Sequence, residues 1–156
     1  MRLQISELKE PDYPRASEIV AVSVRTFWLD HYDPTVIEAV VEQNTPERIG
    51  ERSLRQDDFL ARQGGRVVGY AAVKQNEIGH LFVRPEAAGQ GVGTALVAYC
   101  NEVIRQGGYD TAKVYASRPA IAFYARQGFL ADGEKSFELK PGVFLESVLM
   151  TRPLED

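Results

Sequence analysis

Apolar residues recur along this chain with two periods, and the alternation between those periods marks strands and helices in turn. Leu3 to Leu8 reads as a first strand. Pro11-Asp12-Tyr13-Pro14 then turns the chain into a helix over about 13–26, with Ala16, Val20, Val24 and Phe27 on one face. Asp33-Pro34 supplies the cap and first turn of a second helix bearing Val36, Ile37, Val40, Val41 and Asn44, and Pro46 opens a short third one that ends near Arg55. A strand over 59–63, a Gly64-Gly65 hairpin, a strand over 66–74, a Gln75-Asn76 turn and a strand over 77–83 come next. The helix after Gly91 sets Leu96, Tyr99, Cys100 and Val103 toward the core and stops at Gly107-Gly108. A strand over 111–116, a helix over 119–127 and two strands near 129–139 and 143–152, joined at Lys140-Pro141-Gly142, complete the chain. Together these elements predict a mixed α/β sheet with helices on both faces.

The segment from Leu81 to Leu96, LFVRPEAAGQGVGTAL, carries the chemistry. An apolar strand ends at a proline, glycines follow at 89, 91 and 93, and a helix begins at once. The first backbone N–H groups of a helix lack intrahelical partners and sit at the positive end of its dipole, so they attract phosphate. Glycine lets the backbone approach such an anion without a Cβ in the way. Two common phosphate loops do not fit. Gly93 is followed by Thr94 with no lysine beside it, against the Walker pattern, and Thr94 and Leu96 stand where the dinucleotide pattern needs its third glycine.

The same residues resemble the acetyl-CoA motif of the GNAT superfamily of N-acetyltransferases, Arg/Gln-x-x-Gly-x-Gly/Ala after a strand. The pattern falls on Ala88-Gly89-Gln90-Gly91-Val92-Gly93, with both glycines matched and Ala88 departing from Arg or Gln. Downstream, Ala120 to Phe129 (AIAFYARQGF) resembles the family's A-x-x-F-Y-x-x-x-G-F signature. The resemblance implies one domain over 1–156, of the α/β (α+β) class, with a mostly antiparallel mixed sheet of about six or seven strands. It also implies acetyl transfer from acetyl-CoA, without a metal, to a primary amine of a small molecule or peptide by direct attack in a ternary complex. A non-catalytic acyl-CoA sensor, or a transferase acting on a protein lysine or N-terminus, is the alternative.

Bulk properties narrow the partners. With 18 basic and 22 acidic residues and no basic run, the formal charge is -4, which gives no electrostatic support for nucleic-acid binding. A single cysteine forms no internal disulfide, no stretch approaches a membrane span, and the N-terminus lacks the apolar core of a signal peptide, so a cytoplasmic setting is expected. A homodimer paired through the C-terminal strands is possible.

By the resemblance, Leu81 and Val83 pair through backbone with the pantetheine arm, a backbone NH of the Leu81-Phe82-Val83 strand holds the oxyanion, Gln90, Gly91, Val92, Gly93 and Thr94 hold the pyrophosphate, and Ala88, Gly89, Ser117 and Phe123 adjoin the cofactor. Tyr124 is expected to protonate the departing thiolate. An alkylammonium is neutral in only about one molecule in a thousand at pH 7, so a base or water relay is needed. Glu77, 11 residues before Ala88, is the first candidate base, and His80 is the alternative, which strict alternation would place on the opposite face of the sheet. Arg118 and Arg126 could reach the nucleotide phosphate. Phe27, Trp28, His31 and Tyr32, with Phe137 and Phe144 nearby, are candidates for the acceptor site.

Overall fold

A computed structural model of the protein describes residues 2–155. Its strands are β1 (Leu3–Glu7), β2 (Asp57–Gln63), β3 (Arg66–Lys74), β4 (Glu77–Val83), β5 (Thr111–Ala116), β6 (Leu130–Lys140) and β7 (Val143–Pro153), and its helices are α1 (Tyr13–Phe27), α2 (Pro34–Glu42), α3 (Pro46–Ser53), α4 (Val92–Gln106) and α5 (Ile121–Arg126). The caps follow from side-chain chemistry: the Asp33 carboxylate accepts from the Thr35 amide at 2.9 Å, and the Thr45 hydroxyl accepts from the Arg48 amide at 3.3 Å.

All seven strands form one sheet in the order β1-β2-β3-β4-β5-β7-β6, antiparallel except for β4 and β5. That parallel contact is confined to two pairs, Glu77 with Lys113 and Ile78 with Val114. Beyond it the strands part, leaving β4 from Gly79 to Val83 with a strand partner on one edge only. A bulge sits at the parting: β3 pairs Val73 with Ile78 but Ala72 with His80, so Gly79 is the extra residue. Bulges bend their strand and raise its twist, which carries β4 away from β5.

Helices α1 to α3 cover one face, around Ile19, Val20, Val24, Ile37, Ile49 and Tyr70, and α4 covers the other, around Leu96, Val97, Cys100 and Ile104 together with Tyr124 and Phe129. Two residues expected on the apolar stripes of their helices lie outside the core. Phe27 is 42 % exposed at the end of α1, and Tyr99 is 36 % exposed, its ring edge-on to Phe59 at 4.9 Å. The buried arc of α4 runs through 97, 101 and 104, one helical step away from Tyr99. Cys100 is fully buried, and burial pushes its thiol up to about 12, as suits a packing residue. Strand β6 is an edge strand and mostly exposed along its length.

Candidate active site

The parting of β4 and β5 opens two cavities. The larger, of about 550 Å³, is bounded by the end of α1, the outer half of β4, the glycine loop, the first turn of α4, and α5. Gly89 and Gly91 both take positive φ, +76° and +85°, a conformation that L side chains rarely adopt. Gly91 is the N-cap of α4 and has no side-chain cap, so the amides of the first turn are left to a ligand. A Cβ on Gly91 would meet nothing within 4 Å, whereas one on Gly93 would press on the Phe123 ring at 3.1 Å. Gly91 thus leaves open space beside the cavity it lines, and Gly93 lets the Phe123 ring of α5 pack close against α4. The loop fits a pyrophosphate-bearing cosubstrate.

Of the residues expected at the cofactor, Leu81, Phe82, Val83, Ala88, Gly89, Val92, Gly93, Thr94, Ser117 and Phe123 line this cavity together with Gly91. Gln90 does not: its amide turns back toward the Glu86 carbonyl at 3.4 Å. Arg126 lines it, but Arg118 is tied elsewhere, its guanidinium donating to the His31 carbonyl at 3.0 Å and lying 5.2 Å from the Tyr32 ring centroid. Ser23 also lines the cavity and donates to the Val83 carbonyl at 2.7 Å, which anchors α1 to β4. A serine on the apolar stripe of α1 was the available signal for it.

The second cavity, of about 170 Å³, shares Trp28, Leu81, Phe82, Ser117 and Ala120 with the first, so the two meet at the gap in the sheet. Tyr124 lines the second cavity rather than the first, 4 % exposed, with its ring against Phe123 and Phe129 at 5.1 and 5.5 Å. Burial raises its hydroxyl pKa, with a smaller contribution from Cys100, and so keeps it protonated. Phe137 lines the second cavity, Phe27 lines only the first, and Phe144 lies in neither. His31 and Tyr32 are also outside both. The Tyr32 hydroxyl donates to the Glu146 carbonyl at 2.7 Å and accepts from the Arg118 amide at 2.9 Å, which makes it a clamp between loops.

The bulge corrects the expected placement of His80. Because Gly79 consumes one step of the alternation, Glu77 and His80 face the same side, the side of Tyr70 and Phe82. His80 lines the second cavity, and its Nδ1 is enclosed with no hydrogen-bond partner among the described residues. Burial, then the Arg52 charge, pushes its pKa down to about 3. Glu77 sits half-buried at the neck where β4 meets β5 and lines neither cavity. Burial raises its carboxyl, against the opposing pull of Lys113 and Lys74. Behind His80, the Tyr70 hydroxyl donates to Asp58 at 2.6 Å, and Arg52 holds the Asn44 side chain at 2.5 Å.

The buried imidazole has a measurable consequence. A folded pKa near 3 against 6.5 when unfolded means that the native state binds fewer protons between those values, so stability falls as pH falls through that window. His80→Phe removes this component. Its stability relative to the parent chain is expected to rise by up to about 1.4 kcal/mol per pH unit on acidification from pH 6 to 4. Urea unfolding of both chains across this range checks it, and parallel profiles would refute a buried neutral His80.

A family model for the acetyltransferase (GNAT) domain matches residues 28–140. The chain belongs to the GNAT acetyltransferase family, whose members transfer acetyl from acetyl-CoA. It is 38 % identical over 93 residues to a mycothiol acetyltransferase of Streptomyces bingchenggensis; the match takes in 53 % of this chain and 30 % of that protein. Among solved structures, a GCN5-related N-acetyltransferase of Rhodopseudomonas palustris superposes with a TM-score of 0.93 at 24 % identity, over 99 % of this chain and 97 % of that one. The PaiA N-acetyltransferase of Thermoplasma acidophilum, solved with coenzyme A, gives 0.81 at 18 % identity, over 98 % and 99 %. Among the described residues, no helix is long and apolar enough to cross a membrane, and no three His, Cys, Asp or Glu side chains are grouped to hold a metal.

Proposed function

We propose that this acyltransferase moves the acetyl group of acetyl-CoA onto a primary amine by direct attack in a ternary complex, with acetyl-CoA in the larger cavity and the amine in the smaller. The observation that supports this reading is the meeting of two cavities at a break in the sheet, with a phosphate-accepting helix terminus in one and a tyrosine hydroxyl in the other. Bound there, the thioester supplies an activated acyl group.

The chain's own residues supply the rest. The first-turn amides of α4 hold the pyrophosphate, and the one-sided edge of β4 offers backbone groups to the pantetheine arm and to the charge that builds on the carbonyl oxygen. Glu77 is the terminal proton acceptor: its carboxyl, raised by burial, takes the ammonium proton through water, on the same face as the second cavity. His80, held neutral, keeps that cavity free of a competing positive charge. Tyr124 returns a proton to the thiolate.

Calorimetric titration with acetyl-CoA, paired with thiol release in the presence of mixed amines, tests the proposal. Saturable binding and amine-dependent release are expected. Binding with no release from any amine or peptide would replace transfer with sensing, and absent binding would remove the cofactor assignment as well.

A further inference from the structure

The second cavity has a mixed lining without charged side chains. Trp28, Phe82, Tyr115, Phe137, Leu139 and Leu145 give it an aromatic and branched side, beside its amides, hydroxyls and His80, and no Asp, Glu, Lys or Arg lines it. Its amides and one of its hydroxyls are engaged internally. Gln43 donates to the Leu139 carbonyl at 2.8 Å, Asn44 donates to the Val40 carbonyl at 2.8 Å while accepting from Arg52, and Ser147 donates to the Lys135 carbonyl at 2.9 Å. The charges closest behind the walls include three cations. Arg52 lies behind Asn44, Lys113 stands 5.8 Å from the Tyr115 ring centroid, and Lys135 stands 5.5 Å from that of Phe137. The carboxylates Glu77 and Asp58 lie outside, at the neck and behind Tyr70.

An ammonium taken into such a space loses its hydration and gains no counter-charge, which costs several kcal/mol unless it is neutralised. One ammonium is tolerable, because it gives up its proton in order to react. A second one on the same molecule is not, since it would remain charged in a space whose lining has no carboxylate to pair it. Aromatic and branched walls, in contrast, favour an apolar body at about 25 cal/mol per Å² buried.

From this lining we infer that the acceptor is a small monoamine with an uncharged aromatic or branched apolar body, and that polyamines and aminoglycosides are excluded. The inference rests on the acetyl-transfer reading of the same site. It is tested with the whole chain at saturating acetyl-CoA by following thiol release with phenethylamine, isoamylamine, spermidine and kanamycin. The expected result is a kcat/KM for phenethylamine or isoamylamine at least about tenfold above those of the two polycations, roughly 1.4 kcal/mol of discrimination. Equal or better turnover of spermidine or kanamycin would overturn the acceptor class and leave acetyl transfer standing. If acetyl-CoA binds and neither monoamine is acetylated, the acceptor class is likewise overturned.

Phe137 provides a second arm. It lines only this cavity, is half-buried on β6, and stacks edge-on to Tyr115 at 5.1 Å, so its removal leaves both main cores untouched. Phe137→Ala is expected to raise KM for phenethylamine about tenfold with acetyl-CoA affinity unchanged. Phe137→Glu is expected to shift preference toward spermidine. Unchanged preference and KM in both variants would overturn the inference.

Discussion

Gly91→Val is expected to lower acetyl-CoA affinity by at least about a hundredfold, a loss of some 2.7 kcal/mol of binding. Two effects act together. The residue sits at φ +85°, where a β-branched side chain is strained by about 1–2 kcal/mol, and the new side chain projects into the mouth of the larger cavity, where nothing else lies within 4 Å. The strain is separable from the blockage. Gly108 also has positive φ, +93°, and open space around its missing Cβ, but it lies past the far end of α4. Gly108→Val therefore imposes comparable backbone strain with no bearing on the cosubstrate. Calorimetry on the two variants is expected to show binding lost in the first and kept in the second. Equal affinities would refute the assignment of this loop to the pyrophosphate.

Tyr124→Phe is expected to reduce kcat by about ten- to a thousandfold, at or just below the range for a general acid, with acetyl-CoA affinity retained. Phenylalanine preserves the ring packing against Phe123 and Phe129, so the change removes the hydroxyl alone. Because burial keeps this phenol protonated, the pH profile of the parent chain should show no basic limb from Tyr124 below pH 10. Steady-state kinetics with a competent acceptor decide the matter, and an undiminished kcat would take Tyr124 out of the reaction.

Much of the architecture could be read from local patterns. Every helix and strand was legible because its signals lie within a few residues: Asp33-Pro34, Thr45-Pro46, Gly64-Gly65 and Gly107-Gly108 fix their turns and ends by side-chain and backbone chemistry. Most residues expected at the cofactor fall on the wall of one cavity for the same reason, as one continuous segment supplies most of that wall. Of the residues expected at the acceptor, Trp28 and Phe137 line the smaller cavity and the others do not. Arg118, His31 and Tyr32 engage one another across more than 80 residues, and no periodicity announces such a contact. The bulge did leave a trace, a lone glycine at 79 inside a strand, which is a common sign of one. Reading it would have put Glu77 and His80 on one face. The exposure of Phe27 had no local sign, since an aromatic on an apolar stripe serves a core and a cavity wall equally well.

Two residue pairs hold β4 to β5, and to either side of them the sheet is two antiparallel ribbons, β1 to β4 and β5-β7-β6. The smaller cavity takes its walls from both ribbons, and the larger from β4 and the segment that follows β5. A cosubstrate bound in the larger cavity would touch β4 and the segment that follows β5, bridging the chain on either side of that seam. Such binding would add about 2.7 kcal/mol to folding at a hundred times its dissociation constant. For a chain with so slender a seam, bound acetyl-CoA would then raise the resistance to unfolding in step with its concentration.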